Sequence, residues 1–294
     1  YILYTAAIMA ITVSSCRKIE TDGEIQVVVV NGGGGGGGST TGQTITLQGR
    51  INADTVLRKA NSYILKGIVY MVGNHTMTIE AGTVIKGSFS GSDVAALVIT
   101  RGSKIIAPGT ATDPIIFTSL SPNPQSGDWG GIVLCGKAGY NLSYNGTAGL
   151  YQVEGGIDNA NGDGLAGSGD AVAPTPVAND NSGVLQYVRI EYAGYAFQPD
   201  KEINSLTMAA VGSGTIIDHI QVTYAKDDAF EWFGGSVNCS YLIAYKTQDD
   251  DFDTDNGYSG KVQFGLIIRD SVIADISNSE AFESDNNPTG TTVT

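Results

Sequence analysis

The C-terminal quarter of the chain repeats one short acidic phrase three times, as Asp228-Ala-Phe-Glu231, Asp250-Asp-Phe-Asp253 and Glu280-Ala-Phe-Glu283. The central Phe recurs after steps of 22 and 30 residues. A phrase that returns at about this interval in a strand-rich chain is typical of a solenoid, in which each coil lies on the one before and equivalent residues stack. The repeat therefore predicts that the three Phe side chains form a ladder in the core.

The residues upstream of this repeat have the pattern of short strands. From about residue 43, β-branched runs such as Thr44-Ile-Thr-Leu47 and Ala96-Leu-Val-Ile-Thr100 are separated by Gly, Asn and Asp. Few stretches keep an apolar period of 3.6 residues for three turns, so almost no helix is expected. The segment 139–182 interrupts the rhythm and is predicted to be a loop excursion of the kind that often carries a binding surface.

Longer strand-like runs repeat as well. Leu185–Tyr192 aligns with Ile217–Tyr224, Asn238–Tyr245 is a third copy, and Val262–Ile268 is a looser fourth. A coil of about 20–25 residues suits one turn of a three-sided parallel β-helix, whose coils lie about 4.8 Å apart. We therefore predict an all-β fold, a single-stranded right-handed parallel β-helix over 44–294, with a β-sandwich as the alternative.

Four phrases carry a resemblance to a known family. They are Thr78-Ile-Glu-Ala-Gly-Thr-Val-Ile-Lys-Gly87, Gly127-Asp-Trp-Gly-Gly-Ile-Val133, Phe230-Glu-Trp-Phe-Gly-Gly235 and Asp249-Asp-Asp-Phe-Asp-Thr-Asp-Asn-Gly257. Over roughly residues 45–290 the chain resembles Bacteroidota surface lipoproteins that have a right-handed parallel β-helix (pectate-lyase-like) fold. The resemblance implies the fold and a place at the cell surface, and it implies no settled activity.

The N-terminal region is predicted to be an anchor followed by a tether. Residues 1–13 are apolar but shorter than the roughly 20 residues that span a bilayer, so they suit a secretory signal. The segment 1–16 ends in Val13-Ser-Ser-Cys16, which resembles a bacterial lipobox, so Cys16 is the expected lipid attachment site. An ordinary secretory signal with an incidental Cys is the alternative. Residues 17–43 include seven consecutive glycines and are expected to form a flexible tether.

These features predict an outer membrane lipoprotein that is exposed at the cell surface and truncated at both ends. The glycine run is not a phosphate-binding loop, because no Gly-Lys-Ser/Thr follows it, and no motif for an organic cofactor is found.

Charge and composition exclude several classes of function. The net charge of −14 argues against a nucleic-acid partner, because binding phosphate requires a basic face. Two His residues, far apart in sequence, make a His-rich zinc site unexpected. The three Cys residues do not form a disulfide framework. Cys135 and Cys239 lie in apolar runs and are predicted to be buried.

The acids that follow each Phe raise an energetic question. In stacked coils Glu231, Asp253 and Glu283 point away from the core and lie one above the other. Two such charges 5 Å apart repel by about 3 kcal/mol at an effective dielectric constant of 20. Protonation, exposure to solvent or a bound cation must relieve this repulsion.

A calcium site is one solution, because Ca²⁺ takes six to eight oxygen ligands. The candidate ligands are seven carboxylates, Asp249, Asp250, Asp251, Asp253, Asp255, Glu231 and Glu283. The EF-hand itself is rejected, because Gly257 comes one place late and Val262 stands where the loop requires Glu. The alternative is a solvated acidic corner.

An enzyme site is the second possibility. Asp227 and Asp228 precede Asp249 and Asp250 by one coil, so the four carboxylates are expected to cluster. Paired carboxylates serve glycoside hydrolases. A polysaccharide lyase would need Ca²⁺ and a base, and the candidate bases are Arg189 and Arg269. The chain has neither a Gly-His-Gly phrase nor an Arg-rich strand that would support either reaction.

Aromatic residues near the acids suggest a sugar platform. The candidates are Trp129, Trp232, Tyr195 and Tyr258, with Asn256 beside them, although core packing next to Phe230 is the favoured interpretation for Trp232. We therefore predict a non-catalytic adhesin or glycan-binding module, with a polysaccharide lyase or glycoside hydrolase second and a structural spacer third. The expected partners are the membrane, through the lipid anchor, and a glycan or a surface protein.

Overall fold

The computed structural model describes residues 26–30, 42–158, 160–198, 201–276 and 278–287. Within these ranges the protein is all-β, and one 3-10 helix at Gly91–Asp93 is the only helical segment. No helix among these residues has the length and apolar character that a membrane span requires. The predicted signal segment with Cys16 and the glycine run lie outside the described residues.

The strands are short, as the sequence pattern indicates. The first twelve are β1 (Gln26–Val30), β2 (Thr44–Ile51), β3 (Thr55–Leu57), β4 (Ser62–Met71), β5 (Thr76–Ile79), β6 (Val84–Gly87), β7 (Ala96–Ile99), β8 (Lys104–Pro108), β9 (Ile115–Ser119), β10 (Ile132–Cys135), β11 (Ser143–Tyr144) and β12 (Thr147–Ala148). The next twelve are β13 (Leu150–Gln152), β14 (Leu165–Gly167), β15 (Gly183–Glu191), β16 (Ala196–Gln198), β17 (Lys201–Glu202), β18 (Leu206–Ala209), β19 (Ile216–Thr223), β20 (Phe230–Phe233), β21 (Cys239–Tyr245), β22 (Phe252–Asp255), β23 (Gly265–Ile268) and β24 (Glu283–Ser284).

Parallel pairing arranges seventeen of the described strands into three ladders. Ladder I contains the second halves of β2 and β4, then β7, β10, β18, β20, β22 and β24. Ladder II contains β3, β5, β8 and the first halves of β15, β19 and β21. Ladder III contains the first halves of β2 and β4, then β6, β9, the second halves of β15, β19 and β21, and β23. Only β1 is antiparallel within this sheet, and it pairs with β2. The prediction of a parallel β-helix rather than a sandwich is confirmed.

The bends between ladders use residues in the left-handed region. Tyr187, His219 and Tyr241 have φ of 47°, 54° and 55° where ladder II turns into ladder III, and Tyr192 and Tyr224 have φ of 62° and 55° where ladder III turns into ladder I. A left-handed residue interrupts the alternation of side chains, because the strand bends there instead of continuing straight. Inward-facing positions then resume on the next side of the coil.

Inward-facing apolar side chains fill the coil. Phe230 lies opposite Phe252 in register, and their ring centroids are 5.5 Å apart. Phe282, in contrast, is 56% exposed in the last described coil. The predicted ladder is therefore confirmed for Phe230 and Phe252. It is wrong for Phe282, because the described residues include no further coil that would cover this side chain.

The pairing corrects one sequence alignment. The predicted match of β15 with β19 is confirmed, since Leu185 pairs with Ile217. In the next coil, however, Ile217 pairs with Cys239, one residue later than the alignment with Asn238 implied. Cys239 is buried, whereas Asn238 is exposed, so burial of the apolar thiol sets the register.

The segment between β10 and β15 leaves the coil and packs against the outside of ladder I. Its small hairpins, β11–β12 and β13–β14, bring Val153, Ile157 and Ala166 against Val133 and Cys135 in a second apolar core. The outward face of ladder I is therefore covered rather than open to solvent.

Ion pairs join this excursion to two different coils. Arg50 pairs with Asp163 at 2.7 Å, and Arg101 pairs with Asp170 at 2.6 Å. The side chain of Arg101 is 5% exposed and makes two hydrogen bonds to that carboxylate. Two acids of the Gly-rich segment thus hold it in a defined position.

Candidate functional site

The acids that follow each Phe lie in one row on the outside of ladder I. Pairing of β18, β20, β22 and β24 places Thr207, Glu231, Asp253 and Glu283 in register. Parallel strands in a sheet lie about 4.8 Å apart, so neighbouring side chains of the row touch. We call Glu231 and Asp253, together with Asp228, the acidic core site.

The acidic core site is buried although it lies outside the coil. Glu231 is 7% exposed and Asp253 is 9% exposed. Tyr151 of the excursion packs beside Phe233, with ring centroids 4.9 Å apart, and burial, followed by the charge of Glu231, raises the pKa of Tyr151. The excursion therefore forms a lid over the row.

Carboxylates from two coils converge here. Oxygens of Asp228, Glu231 and Asp253 all lie within 4.8 Å of one another. A second group of Asp227, Asp228 and Asp249 meets the same limit and shares Asp228. Of the four carboxylates predicted to cluster, Asp227, Asp228 and Asp249 do so, whereas Asp250 belongs to neither group; the cluster extends instead to Glu231 and Asp253.

Burial dominates the electrostatics of the acidic core site. It raises the pKa of Asp228 and of Glu231 well above their usual values, and the neighbouring carboxylates raise both further. Burial also raises the pKa of Asp253 to about 6, although a hydrogen bond with Glu231 opposes the shift. Removing water penalises the charged form, and a like charge adds to that penalty.

The neighbouring acids show the same trend. Burial, followed by the charge of Asp250, raises the pKa of Asp249 to about 7. Burial, followed by a hydrogen bond with Glu283, raises the pKa of Asp250 to about 6. Several carboxylates of this region therefore titrate near neutral pH, instead of near pH 4 as in the unfolded chain.

The first acid of the first two repeated phrases has a structural role. Oδ1 of Asp228 accepts a hydrogen bond from the backbone N–H of Asp250 at 3.0 Å, and Oδ1 of Asp250 accepts one from the backbone N–H of Glu280 at 2.5 Å. These carboxylates satisfy backbone donors at the turns before β22 and β24. Asp250 is therefore explained as a link between coils.

The acids of the row are only partly satisfied. The side-chain amide of Asn204 donates a hydrogen bond to Oε2 of Glu231. Oδ1 of Asp253 is buried and has no hydrogen-bond partner among the described residues, and the same is true of Oγ1 of Thr207, the neighbour of Glu231 in the row. Buried oxygens without a partner are rare in folded proteins, so both atoms are available as acceptors to a ligand that binds here.

The site has the donor chemistry of a hard divalent cation. Three carboxylates supply up to six oxygens, which is within the range that Ca²⁺ uses. Nitrogen and sulfur ligands, which zinc or copper would favour, are absent from the two groups of converging side chains found among the described residues. Asp228, Glu231 and Asp253 are the residues that would hold the ion, with Thr207 beside them.

The two arginines predicted as catalytic bases do not join these carboxylates. Arg189 lies on ladder III, where it pairs with Glu191 at 2.6 Å. Arg269 donates to Oδ2 of Asp251 at 2.8 Å and to the backbone carbonyls of Glu280 and Asp249, both at 2.9 Å. Arg269 therefore ties backbone and carboxylate groups together at the end of the coil.

The remaining predicted metal ligands lie around the acidic core site rather than in it. Asp251 has a fully buried side chain that pairs with Arg269. Asp255 accepts hydrogen bonds from the backbone and the side chain of Asn256. Glu283 is in register with Asp253 but is exposed.

The predicted aromatic platform does not form. Trp129 and Trp232 are fully buried in the core. Tyr258 stacks on Trp232 at 5.4 Å and donates its hydroxyl to a backbone carbonyl, while Asn256 is buried. Tyr195 lies in another turn, edge-on to Phe197. Trp232 takes an inward position of β20, and Trp129, which precedes β10, packs in the same core.

The buried thiols have no reactive environment. Burial raises the pKa of Cys135 and of Cys239 to about 12, so both remain protonated at neutral pH. They pack as small apolar side chains in two different core clusters.

Sequence reasoning missed Asn204, Thr207 and Tyr151. Asn204 and Thr207 stand where the next coils have Asp228 and Glu231, but Leu206 replaces Phe between them, which hides the repeat. The 24-residue step from Leu206 to Phe230 is the signal that could have found them. No sequence pattern places Tyr151 over the row, because the excursion has no repeat.

Comparison with known proteins gives the family. A family model described as a pectate-lyase-like β-helix domain matches residues 49–294, which is most of the chain. No curated protein and no solved structure matches it. The matched region includes all three ladders from the middle of β2 onward, the excursion and the acidic core site. The chain therefore belongs to the pectate-lyase-like β-helix family.

Proposed function

We propose that the protein is a non-catalytic β-helix module displayed at the bacterial cell surface, and that its acidic core site binds a calcium ion. In this proposal a lipid on Cys16 anchors the chain to the outer membrane, and the rigid coil presents an adhesive surface to a glycan or a surface protein. The calcium ion stabilises the coils that carry the acids and takes no part in a reaction.

One observation carries the calcium proposal. The carboxylates of Asp228, Glu231 and Asp253 converge within 4.8 Å at a place that the excursion covers. At neutral pH their mutual repulsion and their lost hydration both oppose folding. A divalent cation offsets both costs, and it would give the unpaired Oδ1 of Asp253 a partner.

A catalytic alternative is favoured by one property. Burial raises the pKa of Asp249 to about 7, which suits a general acid, and Asp249 lies beside Asp227 and Asp228. Against it, Asp228 is buried, and Arg189 and Arg269 are engaged in ion pairs elsewhere, so neither arginine lies beside these carboxylates as a base.

Incubation with polysaccharides tests this alternative. New reducing ends would report hydrolysis, and new absorbance at about 235 nm would report a lyase product. We expect neither signal. Activity that disappears in Asp228→Asn and Asp249→Asn, while the fold persists, would establish an enzyme and overturn the non-catalytic assignment.

Thermal unfolding tests the calcium site. At a calcium concentration 100 times the dissociation constant, binding adds about 2.7 kcal/mol, which corresponds to a rise in Tm of about 5 °C relative to protein in EDTA. Magnesium should have a smaller effect, because it demands a tighter octahedral site. The matched variants are Glu231→Gln and Asp253→Asn in the site, with the exposed Glu283→Gln as control.

We expect Glu231→Gln and Asp253→Asn to lose the calcium-dependent rise in Tm while Glu283→Gln keeps it. In EDTA the two site variants should be at least as stable as the wild type, because each removes one buried charge. An unchanged Tm on adding calcium, or an equal loss in all three variants, would rule out the site.

A further inference from the structure

A groove of about 570 Å³ lies on the opposite side of the coil from the excursion contacts, at the bend between ladders II and III. It crosses β15, β19, β21 and β23, and the loop Thr110–Pro114 between β8 and β9 contributes to one end. Volumes of 300–1,000 Å³ are typical of small-molecule sites. The acidic core site contributes no residue to this groove.

One wall is a stack of rings from four successive coils. The ring centroids of Tyr187 and His219 are 4.3 Å apart, those of His219 and Tyr241 are 4.4 Å apart, and those of Tyr241 and Phe264 are 5.0 Å apart. Neighbouring rings therefore cover one another's faces, and mainly their edges are left to line the groove. Because a sugar ring stacks on an open aromatic face, this wall is poorly suited to a glycan.

The other wall changes from polar to apolar along the coil axis. Arg189, Gln221, Ile243 and Leu266 are in register on adjacent strands. Three steps of about 4.8 Å separate the first from the last, so the wall is about 14 Å long. Leu266 and Phe264 belong to the last described coil of ladder III, and both are half exposed. Together with Ile243 they give this end of the groove an apolar lining, which suits an apolar part of a ligand.

The polar end carries a cation. The Arg189 side chain is 42% exposed, and one of its terminal nitrogens pairs with Glu191. Its Nε has no hydrogen-bond partner among the described residues. A guanidinium has five N–H donors, so it can bind a second carboxylate while it keeps the first.

We propose that this groove binds an amphipathic monocarboxylate. The carboxylate contacts Arg189, and an alkyl chain of about eight to ten carbons lies between the ring edges of Tyr241 and the side chains of Ile243 and Leu266. The charge of Arg189 and the apolar far end of the groove select this chemistry. The proposal goes beyond the calcium-stabilised module and does not depend on it.

Isothermal titration calorimetry in calcium-free buffer tests the groove with hexanoate, octanoate and decanoate, each below its micelle concentration. Burial of each added methylene should tighten binding about three- to fourfold until the chain fills the groove. Decan-1-ol should bind about tenfold more weakly than decanoate, because it lacks the charged head group that Arg189 recognises. A uronate hexasaccharide is the competing probe.

Three variants locate the binding. Arg189→Gln should remove the preference for decanoate over decan-1-ol, and Leu266→Asn should remove the gain between octanoate and decanoate. Ile216→Asn is the matched control, because Ile216 is also half exposed but lies outside the groove. Melting curves of each variant verify that the coil is intact.

Affinity that does not grow with chain length would overturn the proposal, as would an equal loss in Ile216→Asn. Tighter binding of the uronate hexasaccharide, lost in Arg189→Gln, would also overturn it and assign a glycan to the groove. Because these titrations contain no calcium, their failure leaves the calcium site untouched.

Discussion

The carboxylate of Asp228 accepts a hydrogen bond from the backbone N–H of Asp250, 22 residues further along the chain and one coil away. The carboxylate of Asp250 does the same for Glu280. The first acid of the first two phrases therefore joins neighbouring coils. The second acids, Glu231 and Asp253, accept no such backbone hydrogen bond from the described residues, so the cation proposal gives them a role beside Asp228.

Two substitutions of Asp228 distinguish the contribution of its hydrogen bond to stability from the contribution of its charge. Asp228→Ala leaves the buried N–H of Asp250 without a partner, so we expect a loss of about 1–3 kcal/mol in the free energy of unfolding. Asp228→Asn keeps an acceptor and removes a buried charge, so in EDTA it should be as stable as the wild type or more stable. Urea unfolding measures both. Equal destabilisation by Ala and Asn would show that the charge itself is required.

The raised pKa values predict how stability depends on pH in EDTA. The carboxyls of Asp250 and Asp253 ionise near pH 6 in the folded protein and near pH 4 in the unfolded chain, and that of Asp249 near pH 7 when folded. Between these values the folded state binds more protons, so the free energy of unfolding falls as pH rises. We expect Tm in EDTA to be highest at about pH 4–5 and to decrease up to about pH 7.

Calcium should flatten this pH dependence, because the ion binds the deprotonated carboxylates and its affinity increases as they ionise. The same melting curves with calcium provide the comparison. A Tm in EDTA that rises from pH 5 to 7 would contradict the buried, protonated state of these acids.

Arg269 is expected to matter for stability rather than for chemistry. Arg269→Ala leaves the fully buried carboxylate of Asp251 without its cation, and breaking a buried pair in this way costs about 3–5 kcal/mol. The double variant Arg269→Ala with Asp251→Asn should recover part of that loss, because no unpaired charge remains. Chemical denaturation of the two variants tests this coupling. No recovery in the double variant would place the effect in the backbone contacts of Arg269 instead.

Gly183 is required at the start of β15, where the chain returns from the excursion to the coil. Its φ is +120°, and a Cβ there would lie 1.8 Å from the carbonyl oxygen of Ile105. Gly183→Ala should therefore lower the free energy of unfolding by more than about 4 kcal/mol or prevent folding, because a loss this large is typical of a severe steric conflict. Gly139→Ala is the control, because a Cβ there meets nothing within 4 Å. Soluble expression and melting temperature distinguish the two variants, and equal behaviour would refute the steric argument.

The periodicity of the sequence was sufficient to predict the parallel β-helix architecture. The recurrence of Phe230 and Phe252, and the match of Leu185 with Ile217, predicted coils that stack in register, because a solenoid repeats the same local contacts in each turn. The repeat also predicted that Glu231 and Asp253 would face away from the core, since alternate residues of a strand point to opposite sides. Local periodicity is enough for both conclusions.

The burial of Glu231 and Asp253, in contrast, could be seen only in the tertiary structure. The excursion has no repeat, so nothing in its sequence showed that Tyr151 would cover Glu231 and remove it from water. Trp129 is a second example, because the sequence suggested an exposed aromatic side chain and the tertiary structure buries it in the core. Burial depends on contacts between segments far apart in the chain, and it is burial that turns a row of ordinary carboxylates into a candidate cation site.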